Sequence, residues 1–105
     1  MNKIALLNDA LRRTFTGGKV VMTEGVAALP QGELAQVLEG VRTFDEFTKD
    51  NDPHGEHDFG SFVVGAVTYF FKVDYYAPHM EGGSEDPADP AKTTRVLTIM
   101  RADEY

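Results

Sequence analysis

The sequence predicts an α+β fold: an antiparallel sheet of about four strands built round a central β-hairpin, with two helices packed on one face. Three observations carry that prediction. Phe59 to Val64 and Val67 to Tyr76 are rich in β-branched and aromatic residues, and only Gly65-Ala66 separates them, with glycine first as a type II′ two-residue turn requires. Two other segments, Ile4 to Phe15 and Leu34 to Val41, repeat apolar residues at helical spacing. Short strand-like runs at Lys19 to Thr23 and Lys92 to Arg101 supply the remaining strands. No internal repeat or change of composition marks a second domain, so residues 1–105 read as one.

In chain order, Ile4, Leu7, Leu11 and Phe15 define a packing helix, with Asn2 as its cap and Gly17-Gly18 as its stop. Arg12 and Arg13 near its C-terminal end suit the helix dipole and read as solvated. Lys19 to Thr23 is a short strand, interrupted by Glu24-Gly25 before Val26 to Leu29. Pro30 opens the second helix, whose stripe is Leu34, Val37, Leu38 and Val41, weakened locally by Gly32 and Gly40. Phe44 to Phe47 fits a brief strand or a plug in the core equally well. In the second arm of the hairpin, Val67, Tyr69, Phe71, Val73 and Tyr75 alternate with more polar neighbours, so the odd-numbered face is the buried one. Ala77 to Ala91, with three prolines and two adjacent glycines, is a long exposed loop. The unbroken run Val96 to Met100 then predicts a strand buried on both faces.

Composition narrows the function. At 105 residues, 42% hydrophobic and 26% charged, the chain is that of a soluble globular domain. No apolar run reaches the ~18 residues of a membrane-spanning helix, and Asn8, Asp9 and two arginines fall where a signal peptide stays apolar, so a cytoplasmic location is expected. The absence of cysteine removes disulfides, thiolate zinc sites and cysteine nucleophiles.

Charge is the most informative property. The net charge of −7 argues against direct binding of nucleic acid. Asp45, Glu46, Asp50, Asp52, Glu56 and Asp58 form one acidic segment, relieved only by Lys49; Asp74, Glu81, Glu85, Asp86 and Asp89 form a second without any base. Such segments keep a small domain soluble, or they build an electrostatic face for a basic protein partner. Tyr76, between them on the polar face of its strand, suits a rigid interface anchor. These twelve residues are the candidate partner-binding set.

Enzyme templates are poorly matched. There is no GxxxxGK[ST], GxGxxG or GxSxG, and Asp50, Asp52, His54 and Gly55 imitate the start of a calcium loop whose twelfth position is Ser61 in place of a bidentate glutamate. His54-Gly55-Glu56-His57 departs from the HExxH order. The expectation is therefore no catalytic residue, no metal and no cofactor, with a turn in which Asp50 or Asp52 accepts backbone N–H bonds. A metal-assisted hydrolase centred on His54 and His57 is the alternative, and an accessory protein-binding module is a third.

LNDALRRTF, VVMTEGVAALP, FDEFTKDNDPHGEHDFG, YFFKVDYY and DPADPAKTTRVLTIMRADEY together resemble, over nearly the whole chain, a small bacterial family catalogued only as a domain of unknown function. Members resemble cargo of plasmids and prophages. The resemblance implies no catalytic residues; it implies a setting in which small acidic proteins inhibit host defence, among them anti-CRISPR proteins aimed at type I effectors. The leading expectation is thus a non-enzymatic acidic inhibitor that covers a basic, nucleic-acid-binding surface of such an effector and blocks target DNA binding.

Overall fold

A computed structural model describes residues 2–105. Helix α1 spans Lys3–Thr14, strand β1 Lys19–Met22, the one-turn helix α2 Glu24–Ala27 and helix α3 Gln31–Thr43; the hairpin strands β2 and β3 span Phe59–Val64 and Val67–Tyr76, and β4 spans Thr94–Arg101. The strands form one mixed sheet in the order β1-β4-β3-β2. Helices α1, α2 and α3 cover one face: Leu11, Val26, Val37 and Val41 pack on Tyr69, Phe71, Val73, Leu97 and Ile99.

The hairpin has the boundaries read from the sequence. Gly65 has φ 63° and Ala66 is not in the left-handed region, so only the first turn residue needs positive φ, the signature of type II′ rather than I′. Tyr69, Phe71 and Val73 are buried, as the alternation requires. Gly60 on β2 is indispensable in another way, because a Cβ there would overlap the Phe71 ring. β4 is buried on both faces, through Leu97 and Ile99 towards the helices and Val96 and Met100 on the other side. On that second face, Tyr105 sets its ring edge-on to Phe70 at 5.8 Å and Phe59 at 6.4 Å.

Four expectations need correction. The sheet is not wholly antiparallel: β1 pairs with β4 in parallel, Lys19 opposite Val96 through Met22 opposite Ile99. This direction brings the chain leaving Met22 to the end of β4, where the Glu104 carboxylate accepts bonds from the Thr23 hydroxyl at 2.7 Å and the Gly25 amide at 2.8 Å. The hairpin is not wholly central, since β2 is an edge strand and the middle of the sheet is β4 and β3. Glu24-Gly25 does not interrupt a strand but begins α2, which buries Val26. Arg12 is not solvated. It is 1% exposed because α1 turns Ala5, Asn8, Asp9 and Arg12 inward along with Leu11.

Candidate interaction face

The acidic segments join the fold at one end of the sheet. The first leads into β2 at Phe59, opposite Lys72, and the second leaves β3 at Tyr76, opposite Thr94. Each is held by its own bonds, and buried polar groups of α1 and β4 tie the two together.

In the first segment, Phe44 and Phe47 prove to be a plug. Their rings meet edge-on at 4.9 Å, and Phe44 packs against Phe71 at 5.5 Å. Asn51 then closes a turn by accepting from the Thr48 amide at 2.8 Å and donating to the Glu46 carbonyl at 2.8 Å. Asp52 turns inward and accepts from the amides of Glu56 at 3.1 Å and His57 at 3.2 Å, the role expected of a turn aspartate. This arrangement carries His57 at φ 56°, a costly backbone conformation for a residue with a Cβ. Its ring is fixed by stacking on Phe47 at 3.9 Å and by Nδ1 lying 3.0 Å from Asp9 Oδ2.

Beneath it lies the ion network of α1. The Arg12 fork donates to Asp9 at 3.1 Å and to the Val41 carbonyl at 2.9 Å, and its guanidinium lies 5.2 Å from the Phe47 ring centre and 5.6 Å from that of Phe71. Burial lowers the pKa of Arg12 and Asp9 opposes the shift; an arginine starts so high that it stays charged.

Asn8 is the junction between the segments. Its amide donates to the Glu56 carbonyl at 3.0 Å and to the Tyr75 hydroxyl at 2.7 Å, while its oxygen accepts from Arg95 Nε at 2.9 Å. Tyr75 passes the chain on by donating to Glu56 Oε1 at 2.8 Å; burial first, then this carboxylate, push its phenol well above the ordinary tyrosine value. Arg95 is itself buried, and its other end binds the Pro87 carbonyl in the second segment. That segment is further ordered by a bridge between Tyr76 and Gly83, by the Ser84 hydroxyl 2.7 Å from that of Thr93, and by Asp89 accepting from the Ala91 amide at 2.9 Å. It is a folded loop rather than a loose one.

The twelve sequence-predicted residues therefore divide. Asp45, Glu46, Asp50, Glu81, Glu85 and Asp86 are exposed, while Asp52, Glu56, Asp58, Asp74, Tyr76 and Asp89 are half-buried. Asp52, Glu56 and Asp89 are occupied by the internal bonds just described, and Asp74 holds Lys72 at 2.8 Å. Asp58 carries a raised pKa, chiefly from burial, with Glu56 and Asp52 adding to it against a bond from its own backbone. Lys92 approaches Glu85 at 3.6 Å, an exposed pair of little energetic weight. Sequence reasoning missed Asn8, Asp9, Arg12, Tyr75 and Arg95. One signal was available for Arg95, which shares the face of Leu97 and Ile99 in a strand already read as buried on both sides.

His54 is exposed, whereas His57 is engaged with Asp9 and Phe47. Among the described residues, no group of three or more His, Cys, Asp or Glu is arranged to hold a metal ion, and no helix is long and apolar enough to cross a membrane. Residues 22–104 match the family described as a protein of unknown function, DUF3768. The chain belongs to this family. The matched region contains both acidic segments, Tyr75 and Arg95; Asn8, Asp9 and Arg12 lie before it. Neither a curated protein nor a solved structure matches the chain.

Proposed function

We propose that this DUF3768 protein is a non-enzymatic acidic inhibitor that binds a basic, nucleic-acid-holding surface of a protein partner, and that the partner is a type I CRISPR effector. The observation that supports this reading is the pair of acidic segments at one end of the sheet, six of whose carboxylates face solvent while Asn8 and Arg95 tie their backbones together. Carboxylates held in place can meet arginine forks bidentately, and a like-charged face steers association with an oppositely charged groove. No direct contact with nucleic acid is required, and the net charge of −7 disfavours one.

The test is binding to purified type I effector complexes over a range of salt concentrations, with target DNA as competitor. If the face substitutes for phosphates, affinity falls at least roughly tenfold between 50 and 200 mM salt, and DNA competes. The variants are Glu81→Lys with Glu85→Lys, and separately Asp45→Lys with Glu46→Lys and Asp50→Lys. Asp52, Asp86 and Asp89 are left alone because they cap turns. Either set should abolish inhibition with little change in melting temperature, since exposed loop charges seldom support a core. Salt-insensitive binding by the parent, unchanged in both variants, sinks the mimicry.

A further inference from the structure

The outer edge of β2 is open, and it borders a groove against α3. Hydrogen-bonding parity fixes which backbone groups are free there. Val73 N–H donates to the Asp58 carbonyl at 2.8 Å, so Asp58 and Val73 form a hydrogen-bonded pair, and pairs alternate along an antiparallel ladder. Gly60, Phe62 and Val64 therefore bond to β3, and the N–H and C=O of Ser61 and Val63 point away from the sheet. Both residues are exposed, Val63 at 63%. Natural edge strands are usually guarded by a lysine, a proline or an inward charge. β2, Phe59–Val64, carries none of these.

Alongside this edge runs a groove in two parts. One, of about 540 Å³, lies between Ser61–Val64 and the C-terminal half of α3, with Phe44 and Phe62 as apolar surface and Asp45 and Glu46 at its end. The other, of about 400 Å³, continues past Gln36 and Val64 towards the hairpin turn, where Glu33 lies. Gly40 keeps α3 close at this point, since a Cβ there would strike the Phe62 ring. An open strand edge beside an apolar groove is the geometry by which sheets take up an extended peptide.

We infer that β2 and α3 form a strand-addition site for an extended, basic segment of a partner protein. Charge selects this occupant. Glu33 lies at one end of the groove and Asp45 with Glu46 at the other, and no lysine or arginine lines either part. An incoming strand with arginine at both ends and β-branched residues between them meets complementary groups at each position. A second copy of this chain does not: antiparallel pairing of two β2 edges sets Glu33 of each copy near Asp45 and Glu46 of the other, in molecules of net charge −7. The site does not depend on the nucleic-acid mimicry proposed above.

The probe is a fluorescein-labelled heptapeptide, RTVTVTR, which places arginine, valine, valine and arginine along one face; ETVTVTE is its charge-reversed control. Saturable binding of RTVTVTR is expected, at least tenfold tighter than that of ETVTVTE. On saturation the Ser61 and Val63 amides should change from rapid to slow hydrogen exchange. Val63→Pro removes an outward donor without touching the ladder to β3 and involves no carboxylate, so it should weaken binding at least tenfold at unchanged melting temperature. If Val63→Pro does not fold, the protection of the Ser61 and Val63 amides in the parent decides. The inference is overturned if RTVTVTR fails to bind at about 1 mM, if both peptides bind equally, or if the two amides stay unprotected in the complex. A concentration-dependent dimer abolished by Val63→Pro also overturns it, by assigning the edge to a second copy.

Discussion

Removing Asp9 probes the least expected part of this fold, the buried ion network under the first acidic segment. Arg12 is 1% exposed, and the carboxylate it binds is that of Asp9, at 3.1 Å from Nε and 3.0 Å from a terminal nitrogen. In Asp9→Ala the guanidinium keeps the Val41 carbonyl and two aromatic rings, and loses its paired counter-charge in a buried site. Breaking one side of a buried pair costs about 3–5 kcal/mol. His57 loses its Nδ1 partner as well, so the upper part of that range applies. For a domain of this size a loss of about 4–5 kcal/mol corresponds to a fall in melting temperature of roughly 18–23 °C. Urea unfolding at 25 °C measures it directly, with Arg13→Ala as the exposed neighbour, expected within about 0.5 kcal/mol of the parent. The double variant Asp9→Leu with Arg12→Met should recover much of the loss, because an apolar pair of similar volume has no desolvation cost. A loss below about 1 kcal/mol in Asp9→Ala would refute the reasoning and return Arg12 to the solvated role its position near a helix end suggests.

Val73→Asp should cost several kcal/mol, on the order of the penalty for an unpaired buried charge, whereas Lys72→Asp on the other face should cost under about 1 kcal/mol; equal thermal melts would mean the faces of β3 are wrongly assigned. Asp58 and Glu104 should respond to pH with opposite signs. Burial raises the pKa of Asp58, so its ionised form opposes folding above the ordinary carboxylate range, and Asp58→Asn should melt slightly higher than the parent at pH 7, with the gap closing in acid. Glu104 is held below its ordinary value, first by the Thr23 hydroxyl and then by the amides of Arg101 and Gly25. Its contribution is present above that value and lost as pH falls through the folded pKa, so Glu104→Gln should melt lower at pH 7 and converge with the parent in acid. Tyr75, raised, should remain protonated beyond the ordinary tyrosine range near about 10, so the parent should lose stability relative to Tyr75→Phe as pH rises past that value; parallel alkaline curves would contradict the buried phenol.

The elements legible in the sequence are those whose signal is local. Gly65-Ala66 and the alternation of Val67 to Tyr76 set the hairpin to the residue, and the run Val96 to Met100 identified a strand covered on both faces. The direction of β1 was not legible, because four residues, Lys19–Met22, carry no pairing information; it follows from bonds made about eighty residues later by Glu104. Helix α1 was placed correctly and its buried face read too narrowly. Ile4 and Leu7 dominated the apolar pattern, yet Asn8, Asp9 and Arg12 are the more deeply buried, since their polar atoms find partners on α3, β3, β4 and the first acidic segment. Buried polar groups with distant partners leave no periodic trace. The candidate set suffered from the same blindness in reverse: Asp89 looks like surface charge in the sequence and acts as a cap in the fold, whereas the acceptor role of Asp52 was legible from its turn-forming neighbours.

The network also bears on why a like-charged end of a small domain holds together. Carboxylates gathered on two neighbouring segments repel one another, and in flexible loops that repulsion is relieved by spreading. Here the backbones beneath them are fixed by side chains of opposite or neutral character: Arg12 under Phe47 and the carbonyl of Val41, Arg95 reaching the Pro87 carbonyl, and Asn8 between Glu56 and Arg95. Of the two buried guanidiniums, Arg12 is balanced by Asp9, whereas Arg95, bonded to Asn8 and the Pro87 carbonyl, supplies positive charge from below. A buried arginine is a poor way to gain stability, because its desolvation offsets most of what its bonds return. Its use here is consistent with positioning: the same groups that stabilise little hold two acidic segments in one register.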